Sequence, residues 1–471
     1  MDLSSYKSDV IDYSGSPSAM KNKLDFFLED SAQQTPNAII VMLNHLFSQF
    51  ICSANDYQLK SNALMKIYGL GHLEKNNLRL LNKLPINDDV IILLNEIVRD
   101  DTNITNVLSA ATILASLSTR FLNVFTLETV SLRLKNINNV LLVTPLINLI
   151  HNFYSIEEER SEIVQFLPIG EVTNILSNIV FENFIKFGNI FFKMLYTFCS
   201  IPHSDDDGKL IFEELSKYSF SIMNMTDSKT ILNPSDLKYF CWILIKMFEF
   251  KTIPLNLFIE KQFPKLITNL MHSLNIKIKE NSILLAGFAI KSGIVDDYFD
   301  SNFFFDLIFK NKYHDRIITS AFWCISLGLC EETVQLIIHS EYFQMIPQLY
   351  QESSLNAKME IAYFLSELMV LSTDPPIEFL YTEFLNIYLD FLRIGTPEAI
   401  NKIGMPLYGT IIDALDFYGS ECTEHILHFL LDNEFLEIVQ QMIEDEETNE
   451  IGQLFSKLLR PYIIEDDITP V

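Results

Sequence analysis

Apolar and polar positions follow one another along this chain in a unit that recurs over most of its length. In residues 339–370, an apolar cluster around Pro347 is followed by a short polar break and by a second apolar helix, predicted to start at Glu360. The same order occurs in residues 263–292 and, without the proline, in residues 435–459. A repeat of roughly 40–47 residues with two or three helices is typical of an α-solenoid, which offers a binding surface rather than a pocket.

One stretch in each repeat is apolar nearly all round and is predicted to form the central helix of its unit. These stretches are residues 61–68, 108–117, 140–152, 189–198, 237–248, 281–290, 319–327, 361–369, 403–415 and 451–459. Such a helix has to be covered on both sides, and stacked repeats cover it with the helices of their neighbours. We therefore predict an all-α, right-handed armadillo/HEAT-like α-solenoid superhelix of about nine or ten repeats.

The polar ends of the chain and the breaks between repeats define its predicted organisation. Residues 1–20 are predicted to be a flexible tail, residues 21–463 a single repeat array, and residues 464–471 an acidic tail. Turn-forming residues predict loops at residues 202–208, 374–376, 395–397 and 445–449. Because no long Gly- or Ser-rich linker interrupts the array, we expect one continuous domain.

The composition agrees with a helical repeat and restricts the kind of partner. With 49% apolar residues but only 14 Gly and 16 Pro, the chain is poor in the turns that an all-β fold needs. Its 34 basic and 61 acidic residues give a net charge of −27 without a basic cluster, which argues against nucleic-acid binding. The charge favours proteins with basic or mixed-charge segments as partners, although charge of this kind also serves solubility alone.

The cysteines and the apolar runs indicate the compartment. The six cysteines are scattered without a CxxC pair, which indicates a reducing compartment rather than a disulfide framework. The first residues have neither the apolar core nor the basic start of a signal peptide, and no apolar run is long enough to span a bilayer. We expect a cytoplasmic protein that is not inserted in a membrane.

Two stretches resemble one known family of repeat proteins. Residues 316–328, RIITSAFWCISLG, place the small residue Ala321 shortly before Trp323, and they look like the third helix of an armadillo repeat of the importin-α type. Residues 424–463 are similar to the terminal repeat of that family, with an apolar helix, an acidic break and then Ile451 and Tyr462. The resemblance implies a concave groove that holds an extended protein segment, a role in nuclear import, and shuttling between cytoplasm and nucleus.

The chain also departs from that family at the residues that bind the segment. The family has Asn four residues after each groove Trp, whereas this chain has Leu327 after Trp323 and Glu367 after Tyr363. It lacks the family's array of Trp and Asn residues and shows no basic N-terminal segment. The resemblance therefore predicts a divergent importin-α-like receptor with an altered groove.

Aromatic and carboxylate side chains on the central helices are the candidate partner-binding residues. Trp323 could stack on a partner cation or simply pack in the core of its repeat. Glu360 and Glu367 are seven residues apart and therefore share a helix face. Because a carboxylate on an apolar helix is costly unless it faces solvent or a partner, Glu367 is a candidate contact. The full set is Trp323, Tyr363, Glu360, Glu367, Tyr408 and Asp413.

The motifs of common catalytic and metal sites are missing from the sequence. It contains no P-loop, no GxSxG elbow and no HExxH pair, so we expect no enzyme and no cofactor. Residues 203–214 fit an EF-hand loop in part, but His203 stands where the first Asp ligand belongs, so we expect an acidic loop and no metal.

Two functional hypotheses remain. The first is a non-catalytic adaptor whose concave groove holds an extended basic segment of another protein. The alternative is a structural scaffold in a larger intracellular assembly, whose groove would be lined by Phe, Leu and uncharged residues and would bind no peptide.

Overall fold

The computed structural model describes a chain built from helices. The described residues are 36–53, 55–72, 81, 84, 86–117, 123–137, 139–156, 160–182, 184–201, 203–227, 234–294, 299–372, 377–394 and 396–462. Within these ranges every regular element is a helix and there is no strand. The two predicted tails and the predicted loop at 374–376 lie outside the described residues. The chain divides into two compact units, one ending at Pro254 and the other beginning at Leu255.

The first unit consists of helices of very different length. They are α1 (Pro36–Cys52), α2 (Tyr57–His72), α3 (Asp88–Asp100), α4 (Ile104–Ser116), α5 (Val124–Lys135), α6 (Val143–Tyr154), α7 (Arg160–Phe166), α8 (Ile169–Glu182), α9 (Phe184–Cys199), α10 (Asp205–Asp227) and α11 (Pro234–Glu249). Of these, α2, α4, α6, α9 and α11 pack in that order, each against the next. We call this row the first spine.

Helix α4 shows why the spine is apolar on nearly every side. Every residue from Asn106 to Ala115 is buried, because α2 covers one side of the helix, α6 the other and α3 its back. The small residues Ala110 and Ala111 let these neighbours come close. The prediction that residues 108–117 form a central helix covered on both sides is confirmed.

The second unit repeats this arrangement. Its helices are α12 (Leu255–Glu260), α13 (Phe263–Met271), α14 (Ile276–Lys291), α15 (Ser301–Lys310), α16 (Asp315–Leu327), α17 (Glu331–Ile338), α18 (Glu341–Glu352), α19 (Leu355–Leu371), α20 (Thr382–Leu392), α21 (Pro397–Ala399), α22 (Met405–Tyr418), α23 (Ser420–Asp432), α24 (Phe435–Glu444) and α25 (Asn449–Leu459). A π-helical segment, Ile400–Gly404, joins α21 to α22. Helices α14, α16, α19, α22 and α25 pack successively and form the second spine.

The repeats that the sequence pattern predicts are visible as helix hairpins. Residues 263–292, 339–370 and 435–459 correspond to the pairs α13–α14, α18–α19 and α24–α25, in each of which an outer helix packs on a spine helix. Their outer helices place Phe263, Phe343 and Phe435 at equivalent buried positions. The residues before Phe263 and Phe435 also share a left-handed backbone, with φ of 59° and 63°.

Every stretch predicted to be a central helix lies on one of the two spines. Helices in pairs and triplets stacked in this way define an all-α solenoid of the armadillo/HEAT type, as the sequence predicts. The prediction of a single array over residues 21–463, with its number of repeats, stays a prediction.

Two helix starts differ from the prediction. Helix α19 begins at Leu355, five residues before the predicted start at Glu360, because residues 355–359 already form the first turns of the helix and bury Ala357. Helix α10 begins inside the predicted loop 202–208. The Asp207 amide donates to Ser204 Oγ (3.1 Å), and Ser204 Oγ donates to the Asp207 carboxylate (2.8 Å). This cap, with acidic residues in the first turn, stabilises a helix N-terminus.

Candidate functional site

One face of α19 carries three of the predicted site residues. The helix buries Ile361, Phe364, Leu365 and Leu368 against its neighbours. Glu360, Tyr363 and Glu367 follow one another at spacings of three and four residues, which places them in one stripe on the opposite face. Glu360 and Tyr363 are half-buried and Glu367 is exposed. We call this stripe the α19 face.

A cation from the same unit already lies on the α19 face. Lys402 Nζ is 4.3 Å from the centre of the Tyr363 ring, within the range of a cation–π contact. The same ammonium group forms an ion pair with Glu398 of α21 at 3.1 Å. The aromatic ring and the carboxylate thus hold one ammonium group between them.

The π-helical segment positions this lysine. Pro406 has no N–H to donate to the carbonyl four residues earlier, which is that of Lys402. Ser366, buried on α19, donates its hydroxyl hydrogen to the Lys402 carbonyl. This hydrogen bond fixes the Lys402 backbone against α19, so that its side chain reaches Tyr363. Single-turn π segments of this kind are frequent at functional sites.

Electrostatics on the α19 face favour a bound cation. Burial raises the pKa of Glu360, the positive charge of Lys402 lowers it, and the negative charge of Glu367 raises it. The two carboxylates repel each other, and a positive charge between them relieves both the repulsion and part of the desolvation. A cation on this face therefore stabilises the ionised form of Glu360.

Trp323 lies apart from the α19 face and packs on the neighbouring spine helix. Its half-buried ring lies on the backbone of α14 at Gly287, where a Cβ atom would be 2.0 Å from Trp323 Cζ3. The Phe288 ring meets it edge-on, with centroids 5.5 Å apart. One side of the indole is therefore used for packing between α14 and α16, and its stacking on a partner cation stays a prediction.

Tyr408 and Asp413 occupy further positions along α22. The Tyr408 ring meets Phe455 of α25 edge-on at 5.5 Å, so it takes part in the packing between α22 and α25. Asp413 is exposed on the same helix. Of the six predicted residues, only Glu360, Tyr363 and Glu367 are brought together. The sequence interpretation missed Lys402, because no sequence signal shows which side chain reaches Tyr363.

The first spine contains a polar seam that the sequence interpretation also missed. Between α2 and α4, Ser61 Oγ donates to Asn106 Oδ1 (2.8 Å), and Asn106 Nδ2 donates to Tyr57 Oη (3.1 Å) and Asp101 Oδ2 (3.0 Å). Asn152 Nδ2 on α6 donates to the Ala115 carbonyl of α4 (2.7 Å). Asn residues on otherwise apolar helices were the signal for this seam.

The seam continues to the end of the first spine. His151 Nδ1 and Thr197 Oγ1 are 2.8 Å apart between α6 and α9. Burial, and then the charge of Lys193, lower the pKa of His151 to about 4, so this imidazole is neutral at physiological pH. Between α9 and α11, Asn189 hydrogen-bonds Asp236, whose pKa burial raises to about 6. Neighbouring spine helices in the first unit are thus joined by polar side chains.

The acidic residues 203–214 are structural. Asp205 and Asp207 lie in the first turn of α10, and Glu214 accepts hydrogen bonds from Ser177 and, at 2.6 Å, from Lys217. In the described part of the chain no three His, Cys, Asp or Glu side chains are grouped as metal ligands. Among the same residues, the structure has no helix that combines the length and the apolar character of a membrane span.

Comparison with solved structures supports the fold. The chain matches the crystal structure of an engineered protein from the Northeast Structural Genomics Consortium with a TM-score of 0.57 and 11% identity, covering 94% of this chain and 99% of that one. The two chains therefore share a fold. No protein-family profile matches the sequence, and no curated protein matches it either.

Weaker structural matches include yeast importin-β and Kap121p. Importin-β (Kap95p) matches with a TM-score of 0.36 and 12% identity, covering 96% of this chain and 67% of that one. Kap121p bound to Ste12p matches with a TM-score of 0.36 and 11% identity, covering 96% of this chain and 59% of that one. The chain thus spans about two thirds or less of their length, and matches of this strength carry no argument about its function.

Proposed function

We propose that this protein is a non-catalytic adaptor that binds an extended, Lys- or Arg-containing segment of another protein on the second spine. The observation that carries the proposal is the Lys402 ammonium group on the α19 face. It occupies the place of a partner cation, between an aromatic ring and a carboxylate. A partner lysine would meet the same Tyr363 ring and the nearby carboxylates of Glu360 and Glu367.

The energies fit a site that exchanges one cation for another. A half-exposed cation–π contact contributes about 0.5–1 kcal/mol, and a half-exposed ion pair contributes about as much. Lys402 is therefore held weakly enough for a partner to displace it. Affinity would come from several such contacts along the spine, and the net charge of −27 would attract a basic segment.

The importin-α resemblance gives this proposal its more specific form. A divergent nuclear transport receptor would bind nuclear localisation signals, which are rich in lysine, and would move between cytoplasm and nucleus. In this chain Glu367 stands where the family has an Asn that binds the peptide backbone, so recognition would depend more on side-chain charge and less on the partner's backbone.

The scaffold hypothesis has its own supporting observation. The residues next to Trp323 are uncharged, since the indole lies on Gly287 of α14 and meets the Phe288 ring edge-on. This is the uncharged lining that the scaffold hypothesis expects. It concerns only the first part of the second spine, whereas the charged α19 face favours binding.

Fluorescence anisotropy with a Lys-rich peptide at low salt tests the proposal. Tyr363→Ala removes the aromatic surface and should weaken binding by about two- to fivefold. Lys402→Ala removes the competing ammonium group and should strengthen binding. Lys457→Ala is the matched control, because it removes an exposed lysine from α25 of the same unit and changes the net charge equally.

The proposal requires that Lys402→Ala strengthen peptide binding more than the control variant Lys457→Ala does. Equal gains from the two lysine variants would show that only net charge matters. Acetylation of the peptide lysines should abolish binding, and raising the salt to about 0.15 M, where the Debye length is about 8 Å, should weaken it. If the unmodified peptide does not bind at low salt, the adaptor proposal is wrong and the result favours the scaffold hypothesis.

A further inference from the structure

An exposed apolar side chain stands at the same point of four successive hairpins in the second unit. Each residue lies in the turn between an outer helix and the spine segment that follows it, or is the first helical residue after that turn. The residues are Leu274, Tyr313, Leu355 and Ile394, with exposed fractions of 99%, 80%, 63% and 46%. Single exposed apolar residues are normal on a protein surface, but their recurrence in consecutive repeats forms a row.

Contacts between neighbouring turns show that these residues lie along one edge. Lys279 Nζ at the start of α14 donates to Asn311 Oδ1 in the next turn (3.1 Å). Lys312 Nζ in that turn pairs with Glu352 at the end of α18 (2.9 Å). The Tyr350 ring of α18 meets Phe391 of α20 at 6.2 Å. The four turns therefore follow one another as neighbours, and we call them the turn edge.

The turn edge is basic in an otherwise acidic chain. Its seven cations outnumber its five carboxylates, Glu280, Asp315, Glu352, Asp390 and Glu398. The cations are Lys277, Lys279, Lys310, Lys312, Arg316, Lys358 and Arg393. The turns between α1 and α2 and between α3 and α4 of the first unit carry Asp56, Asp100 and Asp101 instead.

We infer that the turn edge is a second interaction surface, which binds an acidic segment of a partner protein with apolar side chains at regular intervals. Neighbouring helices pack about 8–10 Å apart, so successive apolar residues of the edge are separated by about that distance. A segment in the polyproline II conformation rises about 3.1 Å per residue with three residues per turn, so every third side chain points the same way and would meet the next apolar residue of the edge. The lysines and arginines would pair with the acidic residues between them.

Synthetic peptides of about 12 residues, labelled for fluorescence anisotropy with the full chain, test this surface. A peptide that repeats Leu-Glu-Glu should bind. A peptide of the same composition with its leucines grouped together, and one that repeats Leu-Lys-Lys, should bind at least about tenfold more weakly. The acidic peptide also separates this inference from the adaptor proposal, which requires a basic one.

Two matched quadruple variants locate the binding. Changing all four apolar edge residues to Ser should weaken binding of the acidic peptide by about tenfold or more. The control changes four equally exposed apolar residues of the same unit to Ser, namely Ile259, Leu336, Val370 and Phe417. It should leave binding unchanged. Because all eight side chains are exposed, both variants should keep the wild-type circular dichroism and melting temperature.

Several outcomes would overturn the inference. Equal binding of the grouped peptide would contradict the spacing, and equal binding of the basic peptide would contradict the charge. A different outcome is that the wild type and the control variant bind phosphatidylserine vesicles, the edge variant does not, and none of them binds the peptide. This outcome would identify a membrane surface as the occupant instead. Self-association of the wild type that the edge variant alone abolishes would identify a second copy of the chain as the occupant.

Discussion

Both units build the same kind of spine with aromatic rings packed between its helices, and the first unit adds a row of polar contacts to them. In the first unit, polar side chains cross from helix to helix, as in Ser61–Asn106 and His151–Thr197. In the second, aromatic rings cross, and Trp323 lies on the bare backbone of Gly287. The fold therefore depends on covering both sides of each spine helix, and it does not depend on which chemistry covers them.

The difference also decides where side chains remain for a partner. In the first unit the polar side chains of the seam hydrogen-bond one another across the spine helices, which offsets part of the cost of their burial. In the second unit rings and small residues complete the packing, so the carboxylates of the α19 face are not needed for it. Glu360 and Glu367 can then meet an exchangeable cation. The proposed binding activity therefore belongs to the second unit.

The largest expected effect tests the ring packing of the second unit. Gly287→Ala places a methyl group 2.0 Å from the Trp323 ring, which must move. Although Ala favours a helix over Gly by about 1 kcal/mol, overpacking should give a net loss of about 1–3 kcal/mol in the free energy of unfolding. Urea titration followed by circular dichroism measures it.

Gly409→Ala is the matched control for this prediction. Gly409 lies inside α22, and nothing is within 4 Å of the position of its Cβ atom, so the same change should stabilise the protein by about 0.5–1 kcal/mol. The loss at Gly287 should shrink when Trp323→Leu is combined with it, because the smaller side chain leaves room for the methyl group. Additive effects would show that the indole does not lie on Gly287.

A change in the polar seam of the first unit should lower the free energy of unfolding less than Gly287→Ala does. Asn106→Leu replaces the hub that joins Ser61, Tyr57 and Asp101 with a side chain of the kind that the second unit uses. The three partners lose their hydrogen bonds but lie near solvent, so we expect a loss of about 1–2 kcal/mol in the free energy of unfolding. Asn62→Leu on the exposed side of α2 should change it by less than about 0.5 kcal/mol. A stabilising Asn106→Leu would show that the two chemistries are interchangeable.

The comparison also shows what the sequence could and could not predict. The apolar pattern located every spine helix, because a helix covered on both sides leaves a continuous apolar stretch in the sequence. It could not predict that Lys402 would reach Tyr363, since that contact depends on a π segment and on a hydroxyl from another helix. Tyr363 and Tyr408 look equivalent in the sequence, but one faces a lysine and the other a phenylalanine.

The polar seam was missed for a related reason. A search for Asn at one fixed distance after Trp passed over Asn106, Asn152 and Asn189, which stand on helices without that Trp. Their role depends on which neighbour faces them, and the repeat period alone does not give that register. A polar residue inside an otherwise apolar spine helix is the more general signal.

The smallest effect concerns the end of the seam and depends on pH. Asp236 is buried with a pKa of about 6 against an ordinary 3.8, and its Oδ1 has no hydrogen-bond partner among the described residues. Between those two pH values the unfolded chain loses the proton first, so the folded state loses stability as the pH rises and stays less stable above pH 6. Asp236→Asn removes this penalty and should raise the free energy of unfolding by about 1 kcal/mol at neutral pH.

The gain from Asp236→Asn should fade as the pH falls from about 6 to below 3.8, because the wild-type carboxyl is then protonated in both states. Glu213→Gln on the exposed side of α10 is the matched control, and it should show no such pH-dependent gain. Urea titrations of the three proteins at several pH values measure the difference. A wild type that is more stable than Asp236→Asn at neutral pH would mean that the carboxylate is paired there, and the seam would then end in an ion pair rather than in a buried carboxylate without a counter-ion.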